Sequence, residues 1–166
     1  VLARPRLTDR LAAAGWPPLA LVVAPAGFGK TTVLADWAAA SCPVGWLSLD
    51  PDDGDPRRFA LGLAAAASDA VPGSMARVAR LADAEPPPEL LADAFRDDLC
   101  DLQDRLLLVV DDLHLATAGG VVRFLARLLR YPAPTCTLAV GSRVEPPLSL
   151  GPLRARGGVL DIGPAA

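Results

Sequence analysis

Short, nearly all-apolar stretches alternate along the chain with longer ones in which apolar positions recur every three or four residues. "LALVVA" (19–24) is a β-branched run stopped by a Pro/Gly turn, and it predicts a buried strand. Val33, Leu34, Trp37 and Ala38 then recur at helical spacing to about Ser41. "VGWLSL" (44–49) predicts a second strand. Behind it, "DPDDGDP" predicts a turn, with Asp55 as the cap of a helix and Pro56 at its first position. That helix, "RRFALGLAAAA", buries Phe59 and Leu63. Residues 71–88 carry four prolines and a glycine and predict a loop, with one helical turn around Met75–Leu81. Leu91, Phe95, Leu99 and Leu102 mark a further helix, and "LLLVV" (106–110) a third strand ending in Asp111-Asp112. Val121, Phe124, Leu125, Leu128 and Leu129 form one helix face, with Arg123, Arg127 and Arg130 on the opposite, solvated side. "TLAVGS" (137–142) and "GVLDIG" (158–163) complete five strands.

Apolar strands alternating with helices predict an α/β fold, a mostly parallel five-stranded sheet covered on both faces. Such sheets bind ligands at the carboxyl ends of their strands. The polar residues that stand out lie at those ends: the 24–31 loop, Asp50, Asp111, Asp112 and Arg143.

Composition narrows the class. With 166 residues the chain is about one domain, and 52% hydrophobic against 21% charged residues is an ordinary globular balance. A net charge of −3 argues against a whole-surface nucleic-acid binder. No apolar run reaches membrane-spanning length, and the start has no signal-peptide layout. Cys42, Cys100 and Cys136 are scattered and odd in number, which fits reduced thiols in a cytoplasmic protein.

The stretch "LVVAPAGFGKTT" carries the chemistry. Gly27 and Gly29 allow successive backbone N–H groups to turn inward around phosphate oxygens, and the following helix aims its positive dipole end at the same place. Lys30 is placed to neutralise the β- and γ-phosphates and Thr31 to offer a hydroxyl to Mg²⁺. The nucleotide-binding candidates are Ala26, Gly27, Phe28, Gly29, Lys30, Thr31 and Thr32. The general spelling G-x-x-x-x-G-K-S/T would put glycine where Ala24 stands. Alanine is the smallest replacement, and an Ala-Pro turn can leave a strand without a positive φ.

A nucleotide site also needs carboxylates, and Asp111 and Asp112 supply them. Asp111 ends the strand and is the better metal partner; Asp112 is placed to polarise an attacking water as general base. Arg143, in "VGSR", can sense a γ-phosphate. His114 follows the acid pair by two residues and reads as structural or solvent-facing. "DPDDGDP" fails as a calcium loop: its glycine falls one position early, and Leu61 stands where the last ligand should be.

Taken together, "RPRL", "APAGFGKTT", "GWLSLD", "LLLVVDDLHLA" and "GSR" resemble, in order and spacing, the ATPase domain of the MalT-like regulators. These are large LuxR-type transcription activators of the STAND class of P-loop ATPases. In that family the loop is commonly spelled A-P-A-G-x-G-K-T, so Ala24 fits it. The resemblance implies a P-loop three-layer sandwich over 19–163, with the "TLAVGS" strand between the loop strand and the acid strand. It implies that residues 1–18, Arg6 in particular, lie near the adenine. It further implies ATP or ADP with Mg²⁺ as ligands, slow hydrolysis that resets a switch, and self-association in the ATP state. DNA would be contacted only through a domain beyond residue 166, and the missing Met and the short 164–166 tail fit a piece cut from a longer protein. A free-standing P-loop enzyme, such as a small-molecule kinase with Asp50 as base, is the rival reading. A pure interaction module with a vestigial loop is the third, and the intact Lys30, Thr31, Asp111 and Asp112 count against it.

Overall fold

The computed structural model describes residues 4–41 and 43–163, with residues 4–8 as backbone only. Five strands, β1 (Leu19–Val23), β2 (Val44–Ser48), β3 (Leu106–Asp111), β4 (Cys136–Ser142) and β5 (Val159–Ile162), form one sheet in the order β2-β3-β4-β1-β5. Every pairing is parallel, so the sheet is parallel throughout. β4 lies between β1 and β3, the position the resemblance implied. The three central strands are buried on both faces, which is why their sequences are continuous apolar runs.

Helices α1 (Arg4–Ala13) and α2 (Lys30–Ala40) cover one face, where Leu34 and Trp37 pack on Val22, Val109 and Ala139. The other face carries α3 (Pro56–Ala70), α4 (Ala76–Ala82), α5 (Pro88–Cys100), α6 (Gly119–Arg130) and α7 (Gly151–Ala155). Phe124 of α6 is the hinge of that layer. Its ring meets Phe59 of α3 edge-on at 5.6 Å and Phe95 of α5 at 5.9 Å.

Two local outcomes differ from the pattern reading, while α4 falls on the helical turn expected around Met75–Leu81. α1 lies in a stretch read only as an N-terminal segment, and α7 in one to which the pattern assigned no element; both are short, and tertiary contact decides such helices. α4 forms because Asp98, a buried carboxylate on α5, accepts hydrogen bonds from the Val78 N–H at 3.0 Å and the Arg77 guanidinium at 3.2 Å. A cap supplied by another helix leaves no local signature. Nor is the arginine side of α6 simply solvated. Arg127 makes a two-pronged pair with Asp93 of α5, at 2.8 and 3.1 Å, and Arg123 lies 3.6 Å from Glu89. The Asp93 carboxylate raises the Arg127 pKa further by hydrogen bonding and charge.

Candidate functional site

The loop after β1 is held by its main chain. The Ala24 N–H donates to the Ser142 carbonyl at 3.2 Å, fastening the loop's entry to the end of β4. The Lys30 ammonium donates to the carbonyls of Ala24 (2.7 Å) and Pro25 (3.1 Å), and is buried. Residue 24 thus contributes an N–H and a C=O, which alanine supplies as well as glycine does. It also needs no special conformation: the only non-glycine residues with positive φ among those described are Trp16, Glu85 and Asp112. The positive φ values in the loop fall at Gly27 (81°) and Gly29 (85°), where a side chain would be strained. Gly29 is the N-cap of α2 and brings no side chain to it, so the first N–H groups of that helix face outward uncapped. Ala26 and Phe28 are exposed on the same loop, and Thr32 lies in the first turn of α2.

From that first turn the Thr31 hydroxyl donates to Asp111 Oδ2 at 2.7 Å. Asp111 is buried at the end of β3, and its other oxygen accepts from the Asp112 N–H at 3.0 Å. Asp112 itself takes a left-handed conformation, φ 61°, which an aspartate tolerates better than most residues. That turns the chain off the sheet into a 3₁₀ turn at Leu113–Leu115. Its half-buried carboxylate pairs with no side chain among the described residues.

His114, on the same turn, takes the structural of the two places read for it from the sequence. Its Nδ1 accepts from the backbone N–H of Arg143 at 3.3 Å, linking the end of β3 to the end of β4. Its Nε2 is buried with no partner. The bond requires an Nδ1 lone pair, so a neutral ring carries its proton on Nε2. The Arg143 side chain is exposed and unpaired among the described residues, while Ser142 beside it is buried and donates to the Val144 carbonyl at 2.5 Å. Gly141 completes the group: it lies alongside Asp111 on the same face, and no sequence argument had selected it. A lone glycine inside an apolar strand was its available signal.

Of the other sequence candidates, Asp50 is engaged in a local cap. Asp50 caps the 3₁₀ turn at Pro51–Gly54, accepting from the Asp52 N–H at 2.8 Å, with Asp53 returning the bond to the Asp50 N–H at 2.8 Å. The cap uses one oxygen of the Asp50 carboxylate, the group which the kinase reading made a base, and Arg58 stands 3.9 Å from the other. The Arg6 side chain lies outside the described residues. Among the described residues no helix is long and apolar enough to cross a membrane, and no cluster of three or more His, Cys, Asp or Glu could hold a metal by itself.

No family model matches the chain. It is 38% identical over 163 residues to the HTH-type transcriptional regulator MalT of Serratia proteamaculans and 36% identical over 163 residues to that of Yersinia enterocolitica. Each alignment covers 96% of this chain and 18% of the relative, so the chain spans about a fifth of the length of the curated relatives it matches. Among solved structures it is similar in fold to a STAND protein with a tetratricopeptide repeat sensor from Pyrococcus horikoshii (TM-score 0.61, 14% identity, 98% of this chain and 23% of that one). A Walker-type ATPase of Pyrococcus abyssi is equally similar (TM-score 0.61, 11% identity, 99% and 54%). The loop, the acid-ended strand beside it and this identity across nearly the whole chain lead to one family: the chain belongs to the MalT-like regulators, matching about a fifth of their length, and it has the fold of the STAND and Walker-type ATPases it is similar to.

Proposed function

We propose that this chain is an ATP-binding, slowly hydrolysing switch module of a LuxR-type STAND transcription regulator. The observation that carries the reading is the hydrogen bond between Thr31 and Asp111, made at the foot of a loop whose lysine is already drawn into place. A P-loop ATPase implies a nucleotide, and the residues fit one. Gly27 and Gly29 adopt the conformations that turn N–H groups toward an anion, and a Cβ at either would meet no atom within 4 Å, so the space above them is open. The ammonium of Lys30 has three donors and spends two on carbonyls, leaving one for a phosphate oxygen.

Thr31 and Asp111 are both oxygen donors, the type Mg²⁺ takes, and they are already adjacent. Mg²⁺, when bound, neutralises the charge of the phosphates. Asp112 then accepts the proton of the attacking water, and Arg143 senses the γ-phosphate from the end of β4. His114 positions both: it stands on the turn that starts at Asp112 and holds the Arg143 main chain. Arg6 and the N-terminal segment lie near the adenine in this reading. Self-association in the ATP state, and DNA contact through a domain other than this one, are parts of the same proposal.

The test is a calorimetric titration of the purified chain with Mg·ATP, followed by incubation with labelled ATP and a metabolite panel. Saturable binding with release of phosphate to water supports the switch module. Transfer of label to a small molecule, or no binding, rejects it.

A further inference from the structure

The carboxylate of Asp111 needs room as well as partners, and the sheet gives it room at one point. Across the carboxyl end of the sheet, Ser48 pairs with Asp111, Val110 with Val140, and Val22 with Gly141. Ser48, Asp111, Gly141 and Val22 therefore form one row on the face covered by α2. Gly141 is the only member of that row without a side chain, and it lies between the acid and the strand that carries the phosphate loop. A Cβ built on Gly141 would stand 2.7 Å from Asp111 Oδ1 and 2.9 Å from Leu34 Cδ1. Both are closer than a real Cβ approaches, so something would have to shift. Asp111 has little freedom, because Oδ1 holds the Asp112 N–H while Oδ2 holds the Thr31 hydroxyl.

We infer that Gly141 is a positioning residue for Asp111: its missing side chain is the space in which the carboxylate lies back across β4 to meet Thr31. This rests on the reading of Thr31 and Asp111 as the Mg²⁺ partners, and it adds a requirement on a third strand. A methyl group at 141 rotates Asp111 away from Thr31 and loosens the tie to the Asp112 backbone. Gly141 has no side chain with which to hold a phosphate or a water. Its effect therefore appears in the contribution of Mg²⁺ to nucleotide affinity, and only secondarily in turnover. Groups that orient a metal's partners commonly change metal affinity by about 10- to 100-fold when altered.

The experiment measures ATP affinity by calorimetry with Mg²⁺ and with excess EDTA, for the wild type, Gly141→Ala and Gly141→Ala/Leu34→Val, each checked by thermal melting. The Mg²⁺-dependent gain in affinity is expected to fall about tenfold in Gly141→Ala, while affinity in EDTA stays within about twofold. The double variant removes the Leu34 crowding and leaves the Asp111 crowding, so it is expected to regain melting temperature and not Mg²⁺ dependence. Restoration of Mg²⁺ dependence in the double variant would overturn the inference, since core packing would then explain the loss. An unchanged Mg²⁺ gain in a folded Gly141→Ala would overturn it too. A wild type that binds ATP equally with and without Mg²⁺ would instead remove the assignment of Thr31 and Asp111, and the inference with it.

Discussion

The Thr31 hydroxyl and Asp111 Oδ2 meet at 2.7 Å although 80 positions separate them in the chain. One comes from the first turn of α2, which follows β1, and the other from the last residue of β3; β1 and β3 do not pair in the sheet. β4 lies between β1 and β3, so the helix that follows β1 passes over β4 and arrives above β3. The sheet order therefore creates the contact.

Lys30 is the residue on which binding depends most. Its buried ammonium is held by two carbonyls, and substitution removes the charge while leaving those carbonyls without their donor. Lys30→Ala is expected to weaken Mg·ATP binding at least about 30-fold, the lower end of the cost of truncating a buried charged partner. A calorimetric titration indistinguishable from wild type would reject the site.

Asp112 and His114 separate binding from turnover. Neither touches the phosphate loop, so Asp112→Asn and His114→Ala are each expected to keep ATP affinity within about twofold. Loss of a general base typically slows a reaction by about 100-fold or more, and Asp112→Asn is expected in that range. His114→Ala releases the Arg143 N–H and slows hydrolysis by misplacing Arg143. Phosphate-release assays decide, and turnover equal to wild type in either variant removes that residue from its role.

Asp98 tests the fold without touching the site. Its buried carboxylate is the cap of α4, so Asp98→Ala leaves the Val78 N–H without a partner. The expected loss is about 2 kcal/mol in urea unfolding, with ATP affinity unchanged. A loss below about 0.5 kcal/mol would mean that water replaces the carboxylate without cost.

Cys136 should be chemically silent. Burial pushes its thiol up to about 12, so at pH 8 it stays protonated and out of reach, whereas Cys100 is exposed. In a Cys42→Ser/Cys100→Ser variant a thiol reagent is expected to label nothing until the chain is unfolded. Rapid labelling of the native variant would show that the lower edge of β4 opens.

The strands, the main helices and the phosphate loop were legible because each is written locally. Val33, Leu34 and Trp37 repeat at helical spacing, the five strands are apolar runs, and Gly27 and Gly29 stand at the positions where φ proves positive. Ala24 was legible in part. The sequence allowed an Ala-Pro turn, and the structure gave the reason: the position acts through its N–H and C=O. α4 was legible as a helical turn around Met75–Leu81, but its cap by Asp98 and the pairing of Arg127 with Asp93 were not, because both carboxylates come from α5, whose place no local pattern encodes.

By itself the sequence determined which residues could do phosphate chemistry and that they end strands, since residue type and periodicity are local properties. Tertiary structure decided which of them meet. It brought Thr31 to Asp111, made His114 the structural link to Arg143, gave Asp50 to a helix cap, and made Gly141 the gap beside the acid. The reason is the crossing order of the sheet: which strands become neighbours depends on packing helices over both faces, and pairing at that range leaves no period in the chain.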